Sequence, residues 1–255
     1  MSEPGVGRVI GLDALAHIRI VLNRPTHPGN IGAVARAMKT MCLGQLYLVA
    51  PHRFPAPEAN ALAAGAEDVL DHAHVCQTLE EAVRDCRLII GTSARSRRIG
   101  WPTLDPSEGA KQMIAAAAEG SVALVFGQER AGLTNEELDR CHAVIAIPAN
   151  QAYSSINLAG SVQITAYELM RAGTRATPVA DEMLGSVQPA THEEMEHFYR
   201  HLEQVLAETG FLDPANPRLL MRRLRRLFNR AMPDQNEINI LRGILTSMQH
   251  RKGNS

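Results

Sequence analysis

Arg36, Glu129 and the hydroxyl run Tyr153-Ser154-Ser155 are the side chains best suited to chemistry on a phosphate-bearing molecule. Arg36 follows the loop Pro25-Thr26-His27-Pro28-Gly29-Asn30 by six residues. If that stretch is helical, the arginine leans back toward the N-terminus over Ala33 and Gly32, both small. A guanidinium placed there can grip a phosphate bidentately, whereas the bland alternative is a surface arginine without a role. Glu129 lies in Phe126-Gly127-Gln128-Glu129, just before Thr134 and Glu137, which have the spacing of a capping box. The helix after it therefore has its own cap, which leaves Glu129 as a spare acid or a solvated loop charge.

The third run, Ile147-Pro148 through Ser154-Ser155-Ile156-Asn157, precedes a stretch rich in small residues, Ala159-Gly160-Ser161. Ser154 or Ser155 can cap that helix, and the same helix start can offer backbone N–H groups to a ligand. A fourth segment, Gly91-Thr92-Ser93-Ala94-Arg95-Ser96-Arg97-Arg98, brings hydroxyls, a glycine and three arginines. It suits an adenosine or phosphate contact and is equally consistent with ordinary turn chemistry. His72 with His74, and His197 with His201, have ligand-like spacing without nearby cysteines or a zinc-protease glutamate, so no metal is expected. Neither a G-x-x-x-x-G-K-[ST] loop nor a G-x-G-x-x-G after the first apolar run is present.

These residues need strand ends to hold them. Apolar runs at Ile18–Leu22, Gln45–Val49, Arg87–Gly91, Val122–Gly127 and Ala143–Ile147 predict strands, with a weaker one at Ala73–Cys76. Helical patterns alternate with them at Ile31–Met41, Thr78–Val83, Pro106–Ala118 and Thr134–Cys141, and a long one starts near Ser155. Alternation of this kind predicts an α/β fold, an open, mostly parallel sheet with helices on both faces. In such sheets ligands bind beyond the carboxyl ends of the strands, where all four segments fall. Residues 173–190, with prolines and glycines and no sustained period, read as a linker. Residues 191–255 then form a small helical module, with helices at Glu193–Glu208, Pro217–Arg230 and Asn236–His250. About sixty residues are marginal alone, so the module is expected to dock on the α/β domain or on a partner copy.

The 255 residues are 45% hydrophobic, with a formal net charge of −1 and four cysteines in no C-x-x-C pair. This is the composition of an ordinary globular protein with reduced core thiols, expected in the cytoplasm. No apolar run reaches the ~20 residues needed to cross a bilayer. Arginine is nevertheless clustered at Arg95, Arg97 and Arg98 and again at Arg218, Arg222, Arg223, Arg225, Arg226 and Arg230. Local basic patches on a near-neutral chain suit a phosphate-bearing partner bound with selectivity.

Taken together, Asn30-x-Gly32-x-x-x-Arg36, Phe126-Gly127-x-Glu129-x-x-Gly132-Leu133, and Ile147-Pro148 with Ser155-x-Asn157 resemble the three motifs of the TrmH-type branch of the SPOUT class of RNA methyltransferases. That match spans roughly residues 17–171. Thr92 through Arg97, Tyr153-Ser154-Ser155, Arg223-Leu224-Arg225-Arg226-Leu227-Phe228 and Leu241-Arg242-Gly243-Ile244-Leu245 further resemble the TrmJ group, extending the likeness over nearly the whole chain. The resemblance implies methylation of a ribose 2′-oxygen at position 32 of tRNA by S-adenosyl-L-methionine, in a homodimer with a trefoil knot at the carboxyl end of a domain spanning residues 17–172. It implies catalytic roles for Arg36, Glu129, Asn30, Ser155 and Asn157. Cofactor contacts fall on Thr92, Ser93, Ala94, Gly127, Ile147, Ser154, Ser155 and Ile156. Arg95, Arg97, Arg222, Arg223, Arg225 and Arg226 are the expected RNA contacts. Residues 1–16 are left as a loose N-terminal extension. Another RNA, such as ribosomal RNA, and a noncatalytic RNA-binding module are the competing readings.

Overall fold

The computed structural model describes residues 13–93, 102–150, 152–175 and 189–252. Among the described residues seven strands form one sheet: β1 (Ile18–Asn23), β2 (Gln45–Val49), β3 (His74–Cys76), β4 (Leu88–Thr92), β5 (Thr103–Leu104), β6 (Val122–Phe126) and β7 (Ala143–Ile145). Their order is β3-β2-β1-β6-β4-β7-β5, and every pairing is parallel. Side chains alternate between two buried faces, as a parallel sheet covered on both sides requires. Ile18, Ile20 and Leu22 of β1 enter the larger core with Leu124 and Phe126 of β6. Val21, Ala123 and Val125 enter the opposite one.

Helices α1 (Pro28–Thr40), α2 (Pro57–Ala63), α3 (Glu67–Asp71), α5 (Pro106–Ala117) and α7 (Leu158–Arg175) contribute to the larger core. Helices α4 (Leu79–Val83) and α6 (Asn135–Leu138) cover the other face. Helix α1 crosses α2 so closely that a Cβ on Gly32 would lie 1.9 Å from the Ala59 carbonyl oxygen. Gly32 is therefore small because α2 packs against it on the buried side, and not to clear a path for Arg36.

Several boundaries differ from expectation. Asp13–His17 forms a 3-10 turn whose Leu15 is fully buried, so residues 13–16 belong to the folded body rather than to a loose extension; residues 1–12 lie outside the described residues. Helix α7 starts at Leu158, three residues later than expected, and runs to Arg175. Positions 173–175 of the expected linker are thus helical, and Ala190 at its end is buried in the core of the helical module. Residues 176–188 lie outside the described residues. Cys76, Cys86 and Cys141 are buried free thiols, whereas Cys42 is exposed, being placed at a positive φ just past the end of α1.

The helical module consists of α8 (His192–Glu208), α9 (Leu220–Ala231) and α10 (Gln235–Lys252). Its core joins Met195, Phe198, Tyr199, Val205, Ile238 and Leu245, with the Phe198 and Phe228 rings edge to face at 4.8 Å. It docks on the α/β domain through polar contacts. The backbone N–H of His192 donates to the Cys86 carbonyl at 3.0 Å, and Arg87 donates to the Pro189 carbonyl at 2.6 Å. Buried Asn229 donates to the carbonyls of Asp139 and Cys141, both at 3.3 Å, and accepts from the Tyr199 hydroxyl at 2.6 Å.

Candidate functional site at the carboxyl rim of the sheet

Beyond the carboxyl ends of β4, β6 and β7 lies a cleft of about 260 Å³. Its walls are Thr92 and Ser93 at the end of β4, Phe126 through Gly132 at the end of β6 and beyond it, Ile145 and Ile147 at β7, and Ser154, Ser155, Ile156, Leu158 and Ser161 around the start of α7. Of the expected cofactor residues, Thr92, Ser93, Gly127, Ile147, Ser154, Ser155 and Ile156 converge here. Ala94, like the expected RNA contacts Arg95 and Arg97, lies outside the described residues. Apolar side chains of Phe126, Ile145, Ile147, Ile156 and Leu158 alternate with five hydroxyls, of Thr92, Ser93, Ser154, Ser155 and Ser161. Apolar walls with a few polar groups suit a flat, heteroatom-rich ligand such as an adenosine.

The loop between β6 and α6 doubles back on itself. The Gly132 N–H donates to the Gln128 carbonyl at 2.8 Å, and Gly132 takes φ +67°. A Cβ on Gly127 would lie 2.1 Å from the Gly132 carbonyl carbon, so this glycine is required by the return of its own loop. The Thr92 hydroxyl donates to the Val125 carbonyl at 3.1 Å, and the Ser93 N–H to the Ile145 carbonyl at 3.1 Å. These bonds fix the turn after β4 against β6 and β7.

Glu129 has a definite employer. Its carboxylate accepts from the Thr26 hydroxyl at 2.7 Å, from the Thr26 N–H at 3.0 and 3.1 Å, from the His27 N–H at 3.1 Å and from the Asn30 side-chain amide at 3.1 Å. Helix α1 has His27 at its N-cap and no side-chain cap of its own, so Glu129 supplies the anion that the helix start favours. Burial pushes the carboxyl up, but the bonds from Thr26 and Asn30 outweigh it and hold the pKa down at about 2. Glu129 is thus ionised at neutral pH and anchors the first-motif loop. The expected Thr134–Glu137 capping box is present on α6, which is why Glu129 is spare for this work.

Asn30 passes the connection on. Its side-chain oxygen accepts from the Asn157 amide at 3.3 Å, and the Asn157 oxygen accepts from the Ala159 N–H at 2.9 Å. Asn157 therefore caps α7, the role assigned from sequence to Ser154 or Ser155, which are exposed at the cleft instead. A single hydrogen-bonded chain, Glu129 to Asn30 to Asn157, ties the three sequence segments together. Arg36 stands two turns along α1, exposed, with no hydrogen bond or ion pair to another described residue. Glu129 does not orient it.

The arginines of α9 require correction. Arg222 Nε donates to both Asp139 oxygens at 3.0 and 2.7 Å, and Arg225 is paired bidentately with Glu196 while lying 4.4 Å over the Tyr199 ring. Arg226 is half-buried, with its Nε out of water. Arg222 and Arg225 hold the module together and onto α6, so they are not free for phosphate. Arg223 and Arg230 are the exposed arginines of this helix, and Arg230 was not among the expected contacts. Among the described residues no cluster of potential metal ligands occurs, and no helix is long and apolar enough to cross a membrane.

The comparisons with known proteins agree with this geometry. Residues 17–167 match the SpoU rRNA methylase family, and residues 193–255 match the C-terminal domain of the tRNA methyltransferase TrmJ. The tRNA (cytidine/uridine-2′-O-)-methyltransferase TrmJ of Sodalis glossinidius is 53% identical over 239 residues, covering 92% of each chain. The protein of the same name from Escherichia coli K12 is 52% identical over 94% of this chain and 98% of its own. The crystal structure of TrmJ from Z. mobilis ZM4 superposes with a TM-score of 0.80 at 36% identity, over 92% of this chain and all of that one. A SpoU-type sheet carrying the three linked motifs, followed by a TrmJ-type helical module, places the chain in the SpoU methylase family and, within it, in the TrmJ group.

Proposed function

We propose that this protein transfers a methyl group from S-adenosyl-L-methionine to a ribose 2′-hydroxyl of tRNA, at nucleotide 32 of the anticodon loop. The observation that carries the reading is the chain Glu129–Asn30–Asn157, which closes the three motif segments around one cleft at the strand ends. Membership of the TrmJ group directs the choice of tRNA over ribosomal RNA. The reading includes a homodimer, a knotted path through the cleft loops and a cytoplasmic setting.

The residues present fit the cofactor: Ile145, Ile147, Ile156 and Leu158 supply apolar walls, and Thr92, Ser93, Ser154 and Ser155 supply polar contacts. When bound, S-adenosyl-L-methionine provides an electrophilic methyl group. The ribose hydroxyl is a poor nucleophile near neutral pH, so its oxygen must be polarised or its proton removed as the bond forms. Arg36 is the residue assigned to this task. Guanidinium stays protonated in proteins, so Arg36 acts by holding the adjacent phosphate and stabilising charge that develops on the 2′-oxygen, the proton leaving through phosphate or water. Hydrogen bonds to charged groups contribute about 1.5–3 kcal/mol, roughly ten- to a hundredfold in rate if realised only in the transition state.

Incubation with unmodified tRNA transcripts and labelled S-adenosyl-L-methionine, followed by nuclease digestion and mass spectrometry, tests the reaction. Label is expected on a 2′-oxygen in the anticodon loop. It should be lost in Arg36→Ala with cofactor binding by calorimetry intact. Arg36→Lys keeps the charge and loses the fork, so full turnover by that variant would exclude this mechanism. Cofactor binding without transfer to any tRNA would redirect the search to ribosomal RNA, and absence of both would leave a binding module.

A further inference from the structure

Tyr153 is the most exposed of the large hydrophobic side chains among the described residues, at 77%. It directly precedes Ser154, the first residue of the third segment to line the cleft. The next three residues, Ser154, Ser155 and Ile156, line the cleft, whereas the Tyr153 ring is exposed to solvent and is not part of that lining. Its backbone is held by a local turn. The Tyr153 N–H donates to the Asn150 carbonyl at 2.9 Å, and the Ala152 N–H to the Asn150 side-chain oxygen at 3.0 Å. The ring is therefore presented on a braced turn, unlike Tyr199, which is buried beneath Arg225, and Tyr47, which stacks on His74.

A ribose that brings its 2′-oxygen into the cleft carries its base on the neighbouring carbon, C1′, so the base must sit at the cleft mouth. We propose that Tyr153 is the platform on which the base of the target nucleotide stacks, which makes it a positioning residue for the RNA rather than for the cofactor. This inference rests on the cleft being the methyl-transfer site. Stacking on an aromatic face tolerates any base, because every base has a π-face. Such a platform holds the nucleotide without selecting its identity, leaving discrimination to other contacts. One base on one ring corresponds to roughly five- to a hundredfold in affinity.

The test compares wild type, Tyr153→Phe and Tyr153→Ala in steady-state methylation of a tRNA transcript, with cofactor binding measured by calorimetry. Tyr153→Ala is expected to raise KM for tRNA about tenfold with unchanged cofactor affinity. Tyr153→Phe should stay within about twofold, because the ring does the stacking. On a transcript lacking the base at the methylated nucleotide, wild type and Tyr153→Ala should converge. Overturning results are equal KM values for wild type and Tyr153→Ala on intact tRNA, weakened cofactor binding in Tyr153→Ala, a Phe variant as poor as the Ala variant, or a difference that persists on the abasic transcript. Failure of the wild type to label any tRNA would remove the reaction itself and this role with it. Normal wild-type transfer with an unaffected Tyr153→Ala would remove the stacking role alone.

Discussion

Replacing Glu129 by Gln is the sharpest test of how this site is built. The carboxylate faces four donor groups on Thr26, His27 and Asn30, all within 2.7–3.1 Å. A glutamine of the same shape keeps one oxygen but sets an NH₂ group against those donors and removes the charge at the start of α1. The carboxyl is held at about 2 instead of its ordinary 4.5, a difference equivalent to about 3 kcal/mol by linkage. Water still reaches this partly buried group, and screening reduces the figure to about 1–2 kcal/mol. Because the folded-state pKa is depressed, the stabilisation is fully present above about 4.5 and is lost as pH falls from there toward 2. Thermal unfolding at pH 7 should therefore show Glu129→Gln melting about 2–8 °C lower than wild type. The gap should close progressively below pH 4.5. A gap that stays constant with pH, or no gap at pH 7, would refute the assignment of Glu129 as an ionised anchor.

Other consequences are as direct. Gly32→Ala should destabilise the protein by more than about 3 kcal/mol in urea unfolding, because its Cβ would overlap the Ala59 carbonyl, whereas Gly44→Ala, with nothing within 4 Å, should change stability little. His142 accepts the Ile89 N–H at 3.0 Å, and burial together with the neighbouring His192 holds its pKa down at about 4. Its unfolded form takes up a proton first, so stability should fall as pH drops from about 6.5 toward 4, and a His142→Asn variant should lose that part of the pH dependence. Removing the exposed Arg223 and Arg230 together should flatten the salt dependence of tRNA binding by about 1.4 log units per log unit of salt, if both touch single-stranded phosphates. An unchanged slope in filter binding would assign both side chains to the solvated surface.

The strands that carry the site were legible because each buries both faces and so appears as a short, nearly continuous apolar run, Ile18–Leu22 and Val122–Phe126 being the plainest. Their order was not, since β6 inserts between β1 and β4 through pairings that span the chain. Helices α2 and α3 went unread: Pro55 and Pro57 mark a loop, and five to seven residues give no usable period. Strand β5, two residues long, carries no sequence signal of its own. At the site, the capping box on α6 correctly identified Glu129 as spare. Its partners were out of reach, because the need for a cap at α1 shows only in the geometry of Thr26 and His27. Arg222 and Arg225 were read as free for a related reason. A run without local acids resembles a free basic face, yet Asp139 lies 83 residues before Arg222 and Glu196 lies 29 before Arg225. Spacing cannot reveal partners that the fold alone brings near.

Helix α6 explains why the module and the cleft are fixed together. The cleft loop leads through Leu133 to Thr134, which caps α6, and Glu137 of that helix both accepts the Thr134 N–H at 2.7 Å and pairs with Arg24, just before the first-motif loop. One turn later the same helix closes at Asp139, which takes Arg222, while its carbonyl and that of Cys141 take Asn229. Each such buried bond contributes only about 1 kcal/mol net, but leaving a donor such as the Asn229 amide unpaired costs about 1–3 kcal/mol. Helix α9 cannot move off α6 without that cost. The loop that lines the cleft and the helix that presents Arg223 and Arg230 are thus positioned by one short element, held at its N-terminal end by Arg24 and at its C-terminal end by Arg222 and Asn229.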